Sequence, residues 1–156
     1  MRPEEIQPDT ELCTIIGYNA QTGNRRRYFN KILKTYERNA TAIALNIKDE
    51  HFAYTMTNLA DSKVKQMMIE DEFQEEAMQY CDVLDDRSKV RHRVGFVEVI
   101  EGKIYGYNLD VAIDDLVEDP EFFDENMTLA IRMMLLANRW YATPIDLDMI
   151  PLIVAK

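Results

Sequence analysis

The sequence is short of glycine, cysteine and histidine: 156 residues include five glycines, two cysteines and two histidines. Each shortage excludes something. Gly17, Gly23, Gly95, Gly102 and Gly106 are spaced so that neither G-x-G-x-x-G nor G-x-x-x-x-G-K-[ST] can be assembled. The backbone amide nest that cradles a dinucleotide or triphosphate is therefore absent, and no cofactor is expected. Cys13 and Cys81 match no disulfide or metal spacing and read as small buried hydrophobes of a reducing compartment. His51 and His92 have no ligand-type neighbours at useful spacing, so no metal is expected.

Long apolar runs are missing too. No stretch approaches the roughly 18–20 residues of a membrane span. Met1-Arg2-Pro3-Glu4-Glu5 puts acids where a signal peptide begins basic and turns apolar. A cytoplasmic protein without a membrane partner is the expectation. Basic residues are outnumbered, 18 Lys and Arg against 28 Asp and Glu, for a formal charge of −10. Phosphate backbones repel such a chain, so no nucleic-acid partner is expected. Two acidic stretches, Glu70–Asp86 and Asp110–Glu125, contain no Lys or Arg. They read as solvated faces, with a docking surface for a basic protein as the alternative.

What is present fits one globular α/β domain. Residues 1–10 read as a flexible tail and 11–156 as the domain. Leu12–Ile16 and Thr41–Ile47 are short, β-branched apolar runs, and both read as buried strands. Between them Tyr28, Phe29, Ile32, Leu33 and Tyr36 recur at helical spacing, giving a helix over 25–38 with Asn39 as its left-handed stop. Strand, helix, strand implies parallel pairing. A third strand is expected at Phe52–Thr57, then a helix capped by Asp61 or Ser62 and carrying Val64, Met67 and Met68, with 70–92 helical. Val94–Ile100, the turn Glu101-Gly102-Lys103 and Ile104–Asn108 read as a β-hairpin. Asp119-Pro120 marks a helix start. Met127–Tyr141 is apolar almost all round and reads as a buried helix ended by Thr143-Pro144. Met133-Met134-Leu135-Leu136 within it fits core, or the surface of a homodimer.

With these elements placed, a family likeness emerges. Gly17 to Asn30 resembles, without a gap, the G-N-P-I-x-H-S-x-S-P-x-x-H-N loop of the shikimate dehydrogenases. Gly95–Val99 with Gly102–Asp110 is similar to their G-A-V-N-T…G-x-L-x-G-Y-N-T-D hairpin. Met127–Ile145, with Trp140 and Pro144, resembles their last helix, M-L-x-x-Q-A-x-x-x-F-x-x-W-x-G-x-x-P. The resemblance implies a fold of one three-layer domain: a mixed sheet with a parallel βαβ start, a hairpin and a buried C-terminal helix. It corresponds to the family's substrate-binding domain, with the nucleotide domain missing.

The departures shape the functional expectation. In the family a Lys in N-V-T-I-P-H-K works with the Asp that ends G-Y-N-T-D. Placing Thr57 on that Thr puts Asp61 at the Lys position, with Lys63 two residues on, while the Asp is present as Asp110. The two serines that hold the substrate carboxylate become Gly23 and Arg25, the Asn of A-V-N-T becomes Glu98, and the last-helix Gln becomes Arg132. Arg25 has the forked donors that grip a carboxylate, although Arg25-Arg26-Arg27 also reads as a solvated first turn whose charges sit badly at a helix's positive end. The resemblance thus implies a non-catalytic module for a small hydroxy-carboxylate such as shikimate or quinate. Its contacts would be Arg25, Thr57, Asn108, Asp110 and Arg132. The alternative is a regulatory or protein-interaction domain with its pocket closed. A Glu98–Asp110 acid/base pair is a third possibility.

Overall fold

The computed structural model describes residues 8–108 and 124–155. Among them six strands form one mixed sheet in the order β2-β1-β3-β5-β6-β4. The strands are β1 (Glu11–Gly17), β2 (Ala40–Asn46), β3 (Gln66–Ile69), β4 (Val83–Leu84), β5 (Phe96–Ile100) and β6 (Lys103–Tyr107). Five α-helices accompany them: α1 (Asn24–Thr35), α2 (Asp49–Thr57), α3 (Asp86–Arg91), α4 (Glu125–Tyr141) and α5 (Ile150–Val154). The residues divide into two compact units, one holding 23–42 and the C-terminal helices, the other Leu12–Thr22 and the segment from Ile43.

The second unit holds most of the sheet. The Glu11 amide donates to Asn39 and the Ile47 amide to Gly17, so β2 runs parallel to β1 at the sheet edge, as the strand-helix-strand pattern implies. On the other side of β1 lies β3, also parallel, with Ile15 opposite Met68. β3 in turn pairs antiparallel with β5, Met67 facing Val97. The expected hairpin is present, its first strand two residues shorter and its second displaced one residue earlier, so that Lys103 leaves the expected turn and pairs with Ile100. Its two central residues, Glu101 (φ 51°) and Gly102 (φ 79°), are both left-handed, the conformation that matches strand twist in a two-residue turn.

Between β2 and β5 the structure departs from the expected elements. Phe52–Thr57 is not a strand but most of α2, and the third strand is Gln66–Ile69, in the region read as a helix. Phe52, Met56 and Leu59 are buried at spacings of four and three, the helical period. Asp49 and Glu50 in the first turn suit the positive end of its dipole. With a helix there, β2 to β3 becomes a second crossover of ordinary length. The stretch 70–92 is likewise not one helix. It breaks into 3-10 turns at Asp71–Phe73 and Glu76–Tyr80, the short β4 and α3, because only Phe73 and Ala77 in its first half are buried apolar side chains. Phe52 stacks on Phe73 with ring centroids 4.5 Å apart, at the centre of a core completed by Ile16, Met67, Ile69, Val97 and Ile104.

The first unit is helical. Tyr28, Phe29, Ile32 and Leu33 form the buried face of α1, and Ala130, Ile131, Met133, Met134, Leu136 and Ala137 that of α4. The two helices lie side by side and parallel. Asn24 approaches Asn126 at 3.4 Å at their starts, and Arg38 Nε donates to the Tyr141 carbonyl at 2.9 Å at their ends. The buried C-terminal helix is thus as expected, beginning two residues earlier under the cap of Asp124. The stop of α1 differs: it is Glu37 (φ 54°), not Asn39, that turns left-handed. The Arg38 amide then reaches back to Leu33, closing a Schellman motif. The helix start at Asp119-Pro120 lies outside the described residues.

Candidate functional site

In an open α/β sheet, ligands gather at the carboxyl ends of parallel strands. In the second unit β1 and β3 end side by side, at Gly17-Tyr18 and Ile69-Glu70. Gly17 matters because a Cβ there would lie 2.3 Å from Glu70 Cγ; the Glu70 side chain packs directly over it. The Tyr18 amide donates to Glu72 Oε1 at 2.7 Å, and its hydroxyl donates to Asp49. That hydrogen bond holds the Tyr18 phenol above its ordinary pKa, with burial and the charges of Asp49, Glu72 and Glu76 adding to it. The Tyr18 ring meets the edge of Phe73 at 4.9 Å. Arg93 pairs with Asp71 at 3.5 Å. The strand ends are thus covered by an aromatic pair and rimmed by carboxylates, an environment that disfavours an anionic guest.

The residues singled out from the sequence fall in both units. In the second, Thr57 is exposed at the end of α2, its hydroxyl donating to the Ala53 carbonyl at 2.7 Å. Asp61 is exposed at the end of a 3-10 turn, and Lys63 is exposed two residues on. Because β3 is Gln66–Ile69, the residues that follow it are Glu70, Asp71, Glu72 and Phe73, with no lysine before Lys89. Asn108 is 3% exposed, and its amide is turned inward, donating to the Arg93 carbonyl at 3.2 Å. Glu98 is half-buried in mid-strand between Gln66 and Tyr105. Asp110 lies outside the described residues.

In the first unit Arg25 is half-buried in the first turn of α1, and Arg132 is half-buried two turns into α4. The start of α1 is chemically distinctive. Its cap position is Gly23, no side chain caps it, and no acid stands in its first turn. The positive end of a 12-residue helix and the Arg25 guanidinium are thus found together, a pairing suited to a carboxylate or phosphate. Arg27 donates to the Ala155 carbonyl at 3.2 Å and lies 4.8 Å from the Tyr28 ring centre. Sequence reasoning missed the Tyr18–Glu70–Glu72 rim. Its only signal was the acidic run after β3, which read as a solvated face. Among the described residues no group of three His, Cys, Asp or Glu is placed to hold a metal, and no helix is long and apolar enough to cross a membrane.

No protein-family model matches the chain. Among curated proteins it is similar to shikimate dehydrogenase (NADP(+)) of Aquifex aeolicus, 28% identical over 105 residues, which is 67% of this chain and 39% of that enzyme. The crystal structure of the Aquifex aeolicus shikimate dehydrogenase superposes with a TM-score of 0.63 at 25% identity, covering 73% of this chain and 45% of that one. Shikimate 5-dehydrogenase from Listeria monocytogenes, in complex with shikimate and NAD, gives 0.67 at 14% identity over 76% of this chain and 41% of that one. The chain has the shikimate dehydrogenase fold over this shared part. It spans about two fifths of the curated relative's length, 39%, and the mixed sheet with its flanking helices agrees with the architecture expected from the sequence.

Proposed function

We propose that this shikimate dehydrogenase-like chain binds rather than reacts, holding a small hydroxy-carboxylate of the shikimate or quinate type. The observation that carries the reading is the start of α1. There Gly23 leaves the first amides without a side-chain cap, and Arg25 adds a guanidinium where the family's loop has a serine. Helix dipole and forked donors favour the same anion. Arg132, in the same unit, is a further candidate contact carried over from the family pattern. Catalysis is left out of the reading because the sequence has no glycine-rich phosphate loop, and no lysine follows the third strand until Lys89. Within these 156 residues hydride acceptance and proton transfer would both lack an agent.

Isothermal titration with shikimate and quinate tests this. Saturable binding is expected, weakened roughly tenfold or more by Arg25→Ala, the usual cost of losing a charged hydrogen-bond partner. Silence at millimolar ligand overturns it.

The acidic rim of the second unit favours a second reading, a protein-interaction domain whose strand-end pocket is closed. Charge reversal of Glu70 and Glu72 to Lys is then expected to abolish capture of a basic partner without altering the response to shikimate. A pull-down with no specific partner counts against it.

A further inference from the structure

Tyr28 lies on the buried face of α1 with Phe29, Ile32 and Leu33. It differs from these neighbours in carrying a hydroxyl. The residue is fully buried, and among the described residues its hydroxyl has no hydrogen-bond partner. A buried donor without an acceptor destabilises the fold, and such groups are rare in native structures. Phenylalanine would fill the same apolar space without that cost.

The helix dictates where the hydroxyl points. Side chains on a helix lean toward its N-terminus, so each covers the turn before its own Cα. Tyr28 therefore reaches over Asn24 and Arg25, four and three residues back in the first turn. The Arg27 guanidinium lies 4.8 Å from the centre of its ring. Arg27 is exposed, so the shield on that side is a side chain that can swing away when a ligand seats. No acid stands in the first turn. Arginines and the positive end of the helix dipole thus surround the donor, and the partner such a setting favours is an anionic oxygen. Arg132 opens toward the same end. α1 and α4 run parallel from Asn24 and Asn126, 3.4 Å apart, and Tyr28 and Arg132 stand about 6 and 9 Å up their helices.

We propose that Tyr28 is a ligand-positioning residue of the site at the start of α1, its hydroxyl donating to the carboxylate that Arg25 grips. This rests on the reading of that site given above. It adds a donor that no family motif position supplies, because Tyr28 falls on the second variable position before H-N in the G-N-P-I-x-H-S-x-S-P-x-x-H-N loop.

Tyr28→Phe removes the hydroxyl and keeps the ring. Isothermal titration of the whole protein uses shikimate, and benzoate as a carboxylate without ring hydroxyls. The variant is expected to bind both roughly tenfold more weakly than the wild type. The urea midpoint of the ligand-free variant should equal or exceed that of the wild type, since no internal hydrogen bond is lost. Undiminished binding of both ligands by Tyr28→Phe overturns the proposal and leaves the Arg25 reading standing. A lowered midpoint also overturns it, by giving the hydroxyl a partner inside the protein. Weakening of shikimate alone moves the contact to a ring hydroxyl and overturns the carboxylate assignment. A wild type that binds benzoate but not shikimate ends the hydroxy-carboxylate reading, while weaker benzoate binding by Tyr28→Phe still supports the Tyr28 contact. Silence of the wild type toward both at millimolar concentration overturns both.

Discussion

Among the described residues of this glycine-poor chain, three helices end on left-handed residues that carry a Cβ: Glu37 after α1, His92 after α3 and Ala142 after α4. Each such stop costs about 1 kcal/mol relative to glycine. Glu37→Gly and Ala142→Gly are accordingly expected to raise stability by up to about 1 kcal/mol each, measured as urea midpoints, against the usual sign for glycine substitution. Cys81 makes a second residue-scale prediction. Burial, with the neighbouring Asp82 charge, pushes its thiol up to about 12 from 9.0. Above pH 9 the unfolded chain releases the proton and the folded one keeps it, so this site's contribution to stability falls as pH rises from 9 toward 12. Cys81→Ala should flatten that alkaline loss; an unchanged slope argues against the assignment. None of these stops could be read in the sequence. Glutamate, histidine and alanine have no preference for the left-handed region, and it is contacts such as those of Arg38 that hold Glu37 and Ala142 there.

Among the elements, strands and helices with strong periodicity were legible and short ones were not. β1, α1, β2, the hairpin and α4 carry apolar patterns long enough to fix their type. α2 and β3 were exchanged for opposite reasons. Phe52 and Tyr54 favour strands by propensity, yet Phe52, Met56 and Leu59 are what the core takes up. Gln66–Ile69 has only four residues, and it is a strand because β1 and β5 supply partners on both sides. That exchange also misplaced the family's lysine motif, so the Glu70–Glu72 rim went unread. The edge strand β2 has a guard of its own. Asn30 accepts from the Ala42 amide at 2.7 Å and donates to its carbonyl at 3.1 Å, occupying edge groups that would otherwise template another strand. Asn30→Ala is expected to cost about 1–3 kcal/mol in chemical denaturation and to increase self-association by light scattering. Asn30→Asp, which keeps the acceptor alone, should fall between.

For the whole molecule, the net charge of −10 predicts self-repulsion that salt relieves, since the Debye length shrinks from about 30 Å at 0.01 M to about 10 Å at 0.1 M. The melting temperature should rise across that range; a flat response means that the acids are locally compensated. The family fold was legible because three motifs kept their order, while the strand-end chemistry was not, since it depends on which side chains fold over Gly17. One further consequence follows from how the helical unit is assembled. α1 leaves the ribosome well before α4, the helix that covers its Tyr28–Leu33 face, which lies about a hundred residues downstream. At roughly 5–20 residues per second, that greasy stripe waits on the order of 5–20 s for its cover, whereas the strands of the other unit already have their partners. Nascent chains stalled before Glu125 should therefore be the ones that recruit chaperones.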